Sequence, residues 1–144
     1  MAAFPNRILG AAKLDPHTYE EVEADPGALK QALGVVVLSS IAAGIGSIYM
    51  VPIDGNWFIA LLFGAFAAII GWFVWAYLIY LIGAKLMPEP QTHADPGQLL
   101  RTVGFSSSPG LIRVLGLIPG IAGIVFIIAA GWMLAAMVIA VRQA

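Results

Sequence analysis

The residues best placed to do chemistry fall within one short stretch. Residues 106–113 read SSSPGLIR: a serine triplet, a proline and an arginine inside a run that is otherwise apolar. Arg113 lies some six residues before Pro119, roughly 9 Å from the end of any helix that this second proline closes. A guanidinium at that depth in a bilayer costs at least about 2–3 kcal/mol unless it meets water or a partner. Two readings are open. Arg113 either snorkels to the headgroups or forms a site, as an ion-pair lock, a lipid-phosphate clamp or part of a polar path. Asp54 is the only acidic residue expected on the same side of a membrane, which makes Arg113–Asp54 the first-choice pairing. Proline frees the carbonyl four residues before it, and the hydroxyls of Ser106, Ser107 and Ser108 can satisfy loose backbone groups. Pro109 and Pro119 are therefore expected helix kinks. Arg113, Asp54 and the three serines are the candidate intramembrane polar site.

Little else in the sequence points to catalysis. There is no cysteine, which excludes disulfides, thiolate metal sites and a thiol nucleophile. His17 and His93 are the only histidines, both in polar segments, so no span offers an imidazole to a heme or chlorophyll. His17 with Glu20 and Glu21 would make a poor metal site. No serine, histidine and carboxylate follow a recognisable catalytic order, and no glycine loop is shaped to cradle phosphate. The expectation is a protein without catalytic residues, cofactor or metal, hence no enzyme.

The composition says what must surround these residues. Of 144 residues, 60% are hydrophobic and only 10% charged, whereas soluble domains run near 45–50% and about 25%. A soluble fold of this size could not hide so much apolar surface. A bilayer removes the problem. The net charge of −1 gives no basic field for nucleic acid.

Residues 1–27 form a polar preface with Phe4, Ile8, Leu9, Ala12 and Leu14 at roughly helical spacing beside Arg7 and Lys13, a cytoplasmic amphipathic segment able to lie along headgroups. Acidic residues follow it, so it is no secretory signal, and targeting falls to the first membrane helix. Asp25-Pro26 is a helix-start signal. The sequence predicts four spans, about 28–51, 57–83, 98–118 and 121–142, each long enough for a core of about 30 Å. The third is the shortest and most polar, and it is expected to be kinked or broken. In its second turn Arg101 can snorkel. Ala24-Asp25-Pro26-Gly27 recurs as Ala94-Asp95-Pro96-Gly97, 70 residues later, as in a parallel two-plus-two repeat. With four spans, Arg7, Lys13, Lys30, Lys85, Arg101 and Arg142 share one side, so both termini are expected in the cytoplasm. Small residues four apart (Ala42 and Gly46, Gly64 and Ala68, Ala67 and Gly71, Gly104 and Ser108, Gly116 and Gly120) predict close helix packing.

The stretch RTVGFSSSPGLIRVLGLIPG, followed by an apolar helix ending AMVIAVRQA, resembles the prokaryotic branch of the Yip family of Ypt/Rab-interacting proteins. The preface, Leu-Asp-Pro and then Tyr-Glu-Glu-Val-Glu-Ala-Asp-Pro, is similar too. The resemblance implies an integral membrane helical bundle with a cytoplasmic N-terminus, in the bacterial inner membrane. Family members usually have five spans, whereas this sequence ends directly after the fourth; eukaryotic members act in vesicle traffic. The expected fold is an all-α integral membrane protein of four helices. The expected function is an accessory or scaffold subunit, with membrane lipids and other membrane proteins or itself as partners. A small transporter or lipid-handling protein using Arg113 and the Ser106–Pro109 kink is the alternative, and a trafficking adaptor a weaker third.

Overall fold

A computed structural model describes residues 2–50, 55–86 and 95–144, which are helices and the turns between them. Two short helices come first, α1 (Phe4–Ala12) and α2 (Pro16–Ala24). Their corner is set by Leu14-Asp15-Pro16. Leu14 takes φ +63°, and the amides of Leu14 and Asp15 return to the carbonyls of Ala11 and Gly10 at 3.1 Å each. This is a Schellman closure with leucine in the left-handed position that glycine usually fills. Asp15 then caps α2, accepting from the His17 amide at 3.2 Å and the Thr18 hydroxyl at 2.9 Å. A side chain on Gly10 would overlap Thr18, so the two helices form a tight hairpin.

Next comes α3 (Ala28–Gly46), shorter than the expected 28–51, with Ser47–Met50 in a turn. Its start, Ala28, is the expected one, though Asp25 is not its cap. Asp25 does not cap a helix beginning at Pro26: its carboxylate accepts from the Gly27 amide at 2.9 Å, and it lies 2.9 Å from Arg7. The helix α4 (Trp57–Tyr80) starts where Asn56 accepts from the Phe58 amide at 3.0 Å, and it continues as a wider π-wound turn over Leu81–Leu86. The second Asp-Pro pair behaves otherwise: Asp95 and Gln98 form a capping box that opens α5 (Pro96–Phe105). Residues Ser108–Leu117 are then wound as a 3₁₀ helix, and α6 (Ala122–Gln143) follows a turn at Gly120, whose φ of +88° suits glycine.

Three of these helices are long and apolar enough to cross a membrane: α3, α4 with its continuation to Gly83, and α6. The segment 98–118 is two pieces joined at Ser106–Ser107, not one helix. Runs of 3₁₀ winding beyond three or four residues are uncommon, and this one has ten.

Glycine contacts fix how the pieces run. Gly104 meets Ala32, Gly110 meets Ser39, and Gly116 meets Gly46, so α5 and the 3₁₀ helix advance parallel to α3. Phe126 lies by Gly46 and Met133 by Gly110, so α6 returns antiparallel. Ala11, Tyr19, Val22, Ala32, Val35, Phe105 and Ala140 are fully buried in one cluster, which places the densest packing where the hairpin meets the bundle. Not every small residue is used for contact. A side chain built on Gly64 or Gly71 meets nothing, so the α4 pairs do not mark a helix seam.

A branched side chain at Gly46 or Gly116 would run into facing backbone. Gly116→Val is expected to cost about 1–3 kcal/mol by overpacking and to lower the thermal midpoint in detergent. Gly64→Ala should hold or raise it, as alanine favours a helix by about 1 kcal/mol. Circular dichroism melts check both.

Candidate functional site

In a 3₁₀ helix residues i and i+3 eclipse, so Gly110, Arg113 and Gly116 stand in one row. The two glycines let the row close on α3, and Arg113 between them reaches into the groove bounded by α3, α4 and α6. The half-buried guanidinium has apolar neighbours: one nitrogen meets Met133 Sδ, and its carbon stands 5.8 Å from the centre of the Phe126 ring. Two cavities adjoin there, of about 560 and 330 Å³, and Ser40, Ala68 and Arg113 line both. The larger extends to Ser47, Trp57 and Gly64, and the smaller to Gly71, Trp72, Trp75 and Ser107. The small residues of α4 thus leave space rather than fill it. Asp54, the expected partner of Arg113, lies outside the described residues.

The serine triplet divides. Ser106 and Ser108 are buried and donate to the carbonyls of Val103 and Phe105 at 2.7 Å each, satisfying backbone where the winding changes. Ser106 and Ser107 both border the smaller cavity. Pro109 opens the 3₁₀ helix, and Pro119 lies in the turn before α6. The exposed His17 pairs with Glu20 at 3.4 Å, whereas Glu21 turns to Arg7. Among the described residues no three His, Asp or Glu side chains converge on a metal position.

A second polar cluster holds the hairpin. Arg7 is 1% exposed, with Glu21 at 2.8 Å and Asp25 at 2.9 Å, and it donates to Gln31 at 3.0 Å. Arg101, 8% exposed, donates through Nε to the Val22 and Glu23 carbonyls at 3.0 and 3.1 Å and through Nη2 to the latter again. It therefore closes the C-terminal end of α2 instead of snorkelling. Trp132, at the middle of α6, donates to the Ala12 carbonyl at 2.7 Å and so closes α1. Gln98 reaches Glu23 at 2.6 Å. The buried Tyr19 phenol, donating to the Ala11 carbonyl at 3.1 Å, has its pKa pushed up by burial.

The family model of the Yip1 domain matches residues 14–144. This chain belongs to the Yip1 family. No curated protein and no solved structure matches it. The matched region begins at Leu14, the left-handed corner of the hairpin, and takes in α2 and everything after it. In this Yip1-family chain sequence reasoning puts Arg7 on an amphipathic segment and lets Arg101 snorkel, and it does not single out Trp132, so it misses the tasks of all three. Their partners lie 14, 78–79 and 120 positions away, so no local pattern announces them.

Arg7 holds the Glu21 and Asp25 carboxyls below their usual range through hydrogen bonds and charge. Both folded-state values are depressed, so their contribution is complete above about pH 5, near the upper edge of ordinary carboxylate titration, and fades as the pH falls through the lowered values. Trp132 fluorescence should report the hairpin loosening below about pH 4, and Arg7→Met should abolish that dependence. Arg101→Gln removes charged donors worth about 1.5–3 kcal/mol. It should raise the rate of trypsin cleavage at exposed Lys13 at least tenfold.

Proposed function

We propose that this Yip1-family membrane protein is a non-enzymatic accessory or scaffold subunit that acts by packing laterally against other membrane proteins. The observation that carries this reading is α4. Only Trp72 and Ala76 of its 24 residues are buried, while Phe58, Phe63, Phe66 and Phe73 are 50–71% exposed. Lipid tails can cover such a face, and rings of this size also offer a neighbouring protein a large contact area. Leu62, Phe63 and Phe66 also frame a shallow hollow of about 300 Å³ into which a neighbouring helix can set a side chain. The ionic groups at the hairpin support the same view, since Arg7 and Arg101 are spent on holding α1 and α2 in place.

The four-span topology belongs to this proposal. Ten residues of α-helix and ten of 3₁₀ helix extend about 15 and about 20 Å, together enough for a core of about 30 Å. The parallel register of that segment with α3 and the antiparallel return of α6 support termini on one side. The basic residues Arg7, Lys13, Lys30, Lys85, Arg101 and Arg142 make that side the cytoplasm by the positive-inside rule. The bacterial inner membrane goes with the prokaryotic resemblance.

The absence of cysteine allows single thiols as clean probes. An impermeant maleimide should label Asn56→Cys in intact cells, and His17→Cys and Gln143→Cys only after permeabilisation; labelling of the termini on opposite faces refutes four crossings. Purified in gentle detergent, the wild-type protein should carry one companion protein, or a second copy, at fixed stoichiometry. Phe63→Ala/Phe66→Ala should lose it without a change in thermal midpoint. A companion-free wild type, or undiminished association in the double variant, overturns the scaffold reading.

A further inference from the structure

We infer that the groove at Arg113 is a binding site for the phosphate of an anionic phospholipid, entered sideways from the bilayer between α3 and α4. Three features specify the ligand. The first is charge: Arg113 has no carboxylate within ion-pair distance among the described residues and faces a thioether and an arene. A guanidinium in such surroundings calls for an anion, and its planar fork suits the paired oxygens of a phosphate. The second is shape. Cavities of about 560 and 330 Å³ meet at this one cation and are lined mainly by apolar atoms, with the Ser107 hydroxyl at the wall and those of Ser40 and Ser47 donating to the Val37 and Gly44 carbonyls. Ligand pockets have this size and this ratio of apolar wall to placed polar group. A small inorganic anion would leave most of the wall bare, whereas an amphiphile covers it with acyl chain.

The third feature is depth. The Arg113 carbonyl stands against Gly46, the last residue of α3, and Trp57, the first of α4, lines the larger cavity. The Arg113 backbone therefore lies about one helical turn inside the end of the bundle remote from the hairpin, while its guanidinium reaches inward to Met133, so a headgroup that it holds is drawn in from that end. Aromatic rings at helix ends mark headgroup level, and phosphates lie there. Space for the tail exists because α4 presents Gly64, Ala68 and Gly71 to the groove, and nothing occupies the position of a side chain at either glycine. This site is separate from the exposed aromatic face of α4, and the inference stands whether or not that face has a protein partner.

Native mass spectrometry of the full chain in detergent, titrated with phosphatidylglycerol or phosphatidylcholine, tests the site. The wild type should bind one phosphatidylglycerol at least tenfold more tightly than phosphatidylcholine. Arg113→Gln should erase the preference, and Arg113→Lys, which keeps the charge but not the fork, should weaken it several-fold. Gly64→Leu, filling the groove without touching the cation, should weaken both lipids while the thermal midpoint holds. Equal binding of the two lipids by wild type overturns the inference, as does an unchanged preference in Arg113→Gln. Inorganic phosphate competing at equal concentration would overturn the lipid assignment, since the apolar wall would then contribute nothing.

Discussion

A helix leaves the carbonyls of its last turn without partners, and a chain with little water around it has to supply donors from its own side chains. That requirement organises this molecule. Arg101 gives its guanidinium to the end of α2, and Trp132 gives its indole to the end of α1. Ser106 and Ser108 serve the point where α winding gives way to 3₁₀, while Tyr19 adds a second donor at the Ala11 carbonyl and Trp72 donates to Leu100 inside α5 at 3.0 Å. Among the described residues no buried side-chain nitrogen or oxygen lacks a partner. The polar residues of an apolar sequence are thus largely committed to repairing backbone, which is why so few are left over for anything else.

What is left over lies at one end. Packing is dense where the hairpin docks, with fully buried Tyr19, Val22, Val35 and Phe105, and it opens toward Trp57 and Ser47, where the larger cavity lies. The two ends also treat arginine differently. Among the described residues Arg7 has two carboxylates and Arg101 has carbonyls, whereas Arg113 rests on sulfur and an aromatic ring. A charge that the fold satisfies is a fastening; one that it leaves among apolar groups retains its demand for an anion.

Much of this architecture can be read from the residues in order. Long uncharged runs announce α3, α4 and α6, and the Asp-Pro-Gly-Gln sequence announces α5, because capping and apolar length are local properties. The Asp25-Pro26 signal puts the start of α3 in the right place but does not announce the second task of that carboxylate: one oxygen takes the Gly27 amide while the other pairs with Arg7, eighteen positions earlier. The hairpin latch is hidden in the same way, since Trp132 and Ala12 meet only after the whole bundle has closed. Arg113 is conspicuous as a charge in an apolar run, but the emptiness beside it is not. Gly64 and Gly71 look like contact residues by spacing, and only the placement of α4 shows that they face open space.

The ten residues Ser108–Leu117 carry one more implication through their pitch. Rewound at 3.6 residues per turn, this rod would shorten by about 5 Å. Each third residue would also step about 60° around the axis, breaking the alignment of Gly110, Arg113 and Gly116. Translation and rotation would then be geared together, as in a screw, so that any axial shortening of this segment turns its one cation relative to α3.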